Sequence, residues 1–106
     1  MTIDSRAMEL LEEEGIDFSK PYELSHWMYF PAREAAEQLA DDLRARGFRV
    51  VVTEGAPGSG WLLLAYHHVV VTDELLDEMR ALLTELAEDF GGNYDGWEMA
   101  IPNAIH

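Results

Sequence analysis

The sequence predicts an α+β sandwich, a four-stranded antiparallel sheet with two helices on one face. Three observations predict it. Stretches with helical apolar spacing near 31–46 and 73–90 alternate with four β-prone runs, in the order βαββαβ. A Gly- and Pro-containing run at 55–60 has the length and composition of a hairpin turn between the second and third runs. The second helical stretch carries a leucine face wide enough to need a sheet beneath it. At 106 residues the chain makes one domain, with 1–20 as an N-terminal helix and connector and 24–101 as the core.

Taken in order, residues 4–14 read as a short helix. Asp4 or Ser5 can cap it, Ala7, Met8, Leu10 and Leu11 form its apolar side, and Gly15 ends it. A connector containing Pro21 leads to an alternating, aromatic strand from Leu24 to Phe30. Pro31 suits the first helical position, where its missing N–H costs nothing. The helix that follows has Ala32, Ala35, Ala36, Leu39, Ala40 and Leu43 on one side and Gly47 as the residue after its end. Phe48 to Glu54 and Trp61 to Val71 are strands joined by the turn. Thr72 is a natural N-cap for a helix reaching Phe90, and Gly91 and Gly92 break it. Asn93 to Ile101 is the fourth strand, closed by Pro102. This order is the split βαβ arrangement of ferredoxin-like folds, behind an N-terminal helix.

Composition excludes several functions. No cysteine is present, which removes disulfides, thiolate nucleophiles and Cys-type zinc sites. Seven Lys and Arg face twenty-one Asp and Glu, a formal net charge of −14. Such a chain repels nucleic-acid backbones, whose affinity comes from Lys and Arg; its charge suits basic partners, metal cations or Arg-rich peptide segments, or alternatively serves only to keep the protein soluble. No apolar run approaches the ~18 residues of a membrane span. The opening MTIDSRAMELLEEEG carries acids where a secretory signal carries basic and apolar residues, so a cytoplasmic protein is expected.

Catalytic, cofactor and metal sites are all expected to be absent. The run at 55–60 lacks the Gly-Lys-Ser/Thr ending of a phosphate loop and opens no helix, and Ser59 is not on a strand-to-helix elbow. His67 and His68, adjacent on a strand, point to opposite faces and cannot share one ion. His26 on a neighbouring strand could join one of them. Acidic clusters such as Glu12-Glu13-Glu14 and Asp41-Asp42 read as solvated helix faces. The last helix differs. Glu74, Asp77, Glu78, Glu85, Glu88 and Asp89 fall within an arc of about 120°, at 100° per residue, opposite the leucine face. Glu85, Glu88 and Asp89 also crowd the C-terminal end, against the helix dipole. A single-signed face of this kind fits either a basic partner or a solvated face that keeps the protein soluble.

The most specific segment is Asn93-Tyr94-Asp95-Gly96-Trp97-Glu98. A glycine inside a strand points to a bulge or a close backbone approach. Alternation places Asp95, Trp97, Met99 and Ile101 toward the helices, and Tyr94, Gly96 and Glu98 on the uncovered face. Tyr94 and Glu98 are therefore candidate partner contacts beside the acidic stripe. The YDGWE run (Tyr94, Asp95, Gly96 and Trp97 at its centre) follows a helix ending Leu-Ala-Glu-Asp-Phe-Gly-Gly. It resembles the C-terminal signature of the regulator of ribonuclease activity B family, and HWMYFP, the Ala-rich helix and RGFRV repeat that family's order from Ser25 to Met99. The resemblance implies a ferredoxin-like sandwich that binds ribonuclease E at its non-catalytic, Arg-rich region and inhibits it without chemistry. The expected function is thus an acidic regulatory protein of RNA degradation with a protein partner, and no nucleic acid or membrane contact. The alternative is a small-ligand-sensing or general protein-interaction module of the same fold. RNA binding on Tyr29 and Tyr94 is disfavoured by the net charge.

Overall fold

The computed structural model describes residues 19–100. Its elements are β1 (Pro21–Phe30), α1 (Arg33–Ala45), β2 (Arg49–Glu54), β3 (Trp61–Val70), α2 (Asp73–Asp89) and β4 (Asn93–Met99). The expected order βαββαβ is present. The strands form one sheet in the order β2-β3-β1-β4, with each neighbouring pair antiparallel. The helix expected over 4–14 lies outside the described residues, as does Ile101.

Strict alternation along β1 decides which way the sheet faces. Leu24, His26, Met28 and Phe30 are buried, while the residues between them are half-exposed. Both helices pack on the buried side. One cluster joins Met28, Phe30, Val50, Leu63 and Ala65 of the sheet to Ala36, Leu39, Ala40 and Leu43 of α1 and Leu83 and Ala87 of α2. Each fully buried leucine here contributes about 1.5–3 kcal/mol. A smaller cluster of Leu24, Val71 and Leu76 closes the other end, flanked by Trp97 and Met99.

Several boundaries differ from expectation, β4 for instance ending at Met99, and two of the differences have a clear cause. β1 begins at Pro21, which pairs with Val70 as the strand's first residue, a place where a missing N–H is tolerated. Pro31 is not the first helical residue. Phe30 is still paired with Trp61, so the chain needs Pro31 and an extended Ala32 (φ −131°, ψ 140°) to turn into α1. The hairpin at 55–60 forms as expected, closed by the Gly55 N–H donating to the Gly60 carbonyl at 2.8 Å.

β4 holds the main surprise. Trp27 pairs with Gly96, but Met28 pairs with Tyr94, so Asp95 is an extra residue and the strand bulges there. Gly96 takes φ 140°, a value that L side chains rarely adopt. The extra residue breaks the alternation. Trp97 opposite His26 and Tyr94 opposite Met28 both face the helices, although they are three positions apart. The expectation for Trp97 and Met99 holds. Tyr94, expected on the uncovered face, packs against the main core instead, and Asp95, expected toward the helices, is exposed.

Candidate functional site

The first surface is the outer face of α2. Thr72 caps the helix, its hydroxyl accepting the Leu75 N–H at 3.0 Å. Leu76, Leu83 and Ala87 are buried, so the opposite arc meets solvent. Glu74, Asp77, Glu78, Glu85, Glu88 and Asp89 are all exposed. Among the described residues only Asp77 of these six has an ion-pair partner, Arg80, at a loose 3.9 Å. α1 is built the other way. Its Arg33–Glu37, Arg44–Asp41 and Arg46–Asp42 pairs, at 3.6, 3.3 and 3.2 Å, set an arginine of the helix or its C-cap against three of its four acids, Glu34 being the exception. Such exposed pairs add little stability, but they cancel local field. On α2 the field is left standing.

The second surface is the side of the sheet away from both helices. Register places Trp27 and Tyr29 of β1, Leu62, Leu64 and Tyr66 of β3, and Val51 of β2 there. All are half-buried or exposed. The Arg49 guanidinium lies 4.1 Å over the Tyr66 ring and 3.2 Å from the Glu23 carboxylate. Toward β4, a shallow groove of about 280 Å³ is lined by Trp27, Tyr29, Asp95, Gly96, Trp97 and Glu98. Glu98 is exposed opposite Ser25, as expected, and the Ser25 hydroxyl donates to the Glu98 carbonyl at 3.4 Å. The two surfaces are on opposite sides of the sheet, so Glu98 and the α2 stripe do not form one patch. Tyr94 belongs to neither.

Beneath the sheet, Tyr94 joins a buried polar chain. Its hydroxyl is 2.9 Å from His26 Nδ1, and His26 Nε2 is 2.9 Å from His67 Nε2. His26 is fully buried. Burial, and secondarily the neighbouring His67, push the His26 pKa down from 6.5 to about 3. Burial lowers His67 and raises the Tyr94 phenol well above its ordinary value, with Arg80 opposing the latter weakly. All three groups are therefore neutral at pH 7. Either Tyr94 donates to His26 and His26 to His67, or the chain runs in reverse, and both directions satisfy every nitrogen involved. His68 is exposed on the other face, as its adjacency to His67 requires. Among the described residues, no three or more His, Cys, Asp or Glu come together to hold a metal ion.

Alternation alone would have placed His26 on the buried side with Leu24 and Met28. Nothing local reveals its link to Tyr94, which depends on the bulge, or the aromatic groove, which depends on strand order. What these residues assemble is a single-signed helix face and an aromatic groove with acidic walls, on an α+β core. Residues 2–99 match the family described as regulator of ribonuclease activity B, and the chain belongs to that family. The resemblance carried by YDGWE and HWMYFP is thereby borne out. No curated protein matches the chain. Among the described residues, no helix is long and apolar enough to cross a membrane.

Proposed function

We propose that this protein regulates RNA turnover by binding a basic, Arg-rich segment of a ribonuclease E-like enzyme through the outer face of α2, with no chemistry of its own. The observation that carries the reading is a carboxylate face on which only Asp77 is paired, and loosely, set beside an α1 in which three of four acids are paired. Membership of a ribonuclease-regulator family supports the class of target. A net charge of −14 disfavours direct contact with RNA and favours an arginine-bearing protein segment. The β2-β3-β1-β4 order supports a ferredoxin-like reading of the core, and the acidic character fits a cytoplasmic regulator.

Mechanistically, the α2 field steers encounter and the bound segment is withheld from its other contacts. Charged-rim contacts act mainly on association rate, so binding weakens steeply from low to physiological salt. Reversing Glu78, Glu85 and Asp89 together to Lys leaves the fold intact, because all three are exposed, and relieves the helix-end conflict at Glu85 and Asp89. Association with the purified Arg-rich region, followed on a sensor surface at two salt concentrations, should slow about tenfold or more. A folded triple variant that associates as fast as the parent would reduce this face to a solvated one.

A further inference from the structure

We infer that the groove between Trp27 and Tyr29 of β1 and Asp95 and Glu98 of β4 is a docking site for one arginine side chain of a partner protein segment. The inference rests on the reading above for the partner's basic character and adds where that partner is anchored.

The protein already holds a guanidinium in this way on the same face. Arg49 sits 4.1 Å above the Tyr66 ring with the Glu23 carboxylate 3.2 Å away, an aromatic platform and an anion gripping one planar cation. The β1–β4 groove repeats the ingredients without the cation. Trp27 and Tyr29 flank it on the β1 side, Trp97 adds a third aromatic residue to its lining, two carboxylates wall it, and neither Asp95 nor Glu98 has an ion-pair partner among the described residues. Its volume of about 280 Å³ is at the lower end of small-molecule pockets, suited to a single long side chain.

The β4 bulge creates this arrangement. It turns Asp95 out of the strand's alternation and sets a residue without a side chain, Gly96, opposite Trp27. Gly96 itself lines the groove. Arginine fits better than lysine, because a planar fork stacks on a ring and pairs with a carboxylate at once, whereas an ammonium is a strongly hydrated point charge. β4 is an edge strand and α2 packs against it, so a multi-arginine segment can be steered by α2 and pass round the β4 edge to this groove.

The test titrates the full chain with a hexa-arginine peptide, a hexalysine peptide and free arginine, following the Trp27 indole ¹⁵N–¹H resonance and the Kd. The indole should shift with the arginine peptide. The isosteric double variant Asp95→Asn, Glu98→Gln should raise Kd about tenfold with an unchanged melt, and Trp27→Leu should do the same. The α2 triple variant should slow association yet still shift the Trp27 indole at saturation. A double variant that binds like the parent, beside a weakened α2 variant, overturns the groove and leaves the α2 reading standing. No binding of hexa-arginine to the parent overturns both. Hexalysine binding as tightly as hexa-arginine, or free arginine shifting the indole at the same concentration as the peptide, also overturns the arginine-docking inference.

Discussion

Acid should destabilise this domain through His26, and the size of the effect follows from its burial. The imidazole is fully buried and titrates at about 3 in the folded state, against 6.5 in an open chain. Between those values the unfolded chain binds a proton that the folded chain refuses. Stability is therefore complete above pH 6.5 and falls as pH drops toward 3, by about 1.4 kcal/mol per unit. By pH 5 the loss is about 2 kcal/mol, a figure set by the unfolded value alone, since the folded imidazole is still neutral there. His67 adds to it with the same sign. Carboxylate protonation acts the other way, because it relieves the self-repulsion of a chain at −14. The comparison that isolates the imidazole is His26→Leu against the parent, by urea unfolding at pH 7.5 and pH 5. The parent should lose about 2 kcal/mol more than the variant over that range, equivalent to roughly 8–16 °C in melting temperature. A second proton on the pair would set two N–H groups against each other across the 2.9 Å gap and open the chain of hydrogen bonds. Equal losses in parent and variant would show that His26 is not held neutral by the fold.

Further outcomes can be checked by the same unfolding measurements. Tyr94→Phe removes the partner of His26 Nδ1 in a buried place and should cost about 1–2 kcal/mol without altering the α2 surface; a neutral result would remove that hydrogen bond from the account. Trp97→Ala should cost about 3 kcal/mol, because the ring packs on Leu24, Val71 and Leu76, and an unchanged melt would mean that it is not part of the core. Gly60→Ala should cost about 2 kcal/mol or more, since Gly60 has φ 76° and a Cβ there would strike the Phe30 carbonyl oxygen; full stability would show that the turn adopts another conformation.

Much of this protein is legible in its residues taken locally. Element order, the Thr72 cap, the hairpin at 55–60, the leucine face of α2 and its acidic arc all follow from periodicity, capping chemistry and turn composition, which act over a few residues. The YDGWE run also carried the family. Local preference was less able to place boundaries. The start of α1 is decided by how long Phe30 stays paired with Trp61, a contact between residues far apart in the chain.

The face on which Tyr94 lies could be decided only by the tertiary structure. Alternation is a rule for unbroken strands, and the extra residue at Asp95 reverses it within the segment that looked most specific. That reversal sends the Tyr94 hydroxyl to a histidine from β1, which in turn meets a histidine from β3, and it turns Asp95 out beside Trp27. Composition and periodicity determined that this is an acidic α+β domain with one charged helix face. The strand order β2-β3-β1-β4 decided which side chains meet, because it sets β1 between β3 and β4 and so joins residues whose separation in sequence hides their contact.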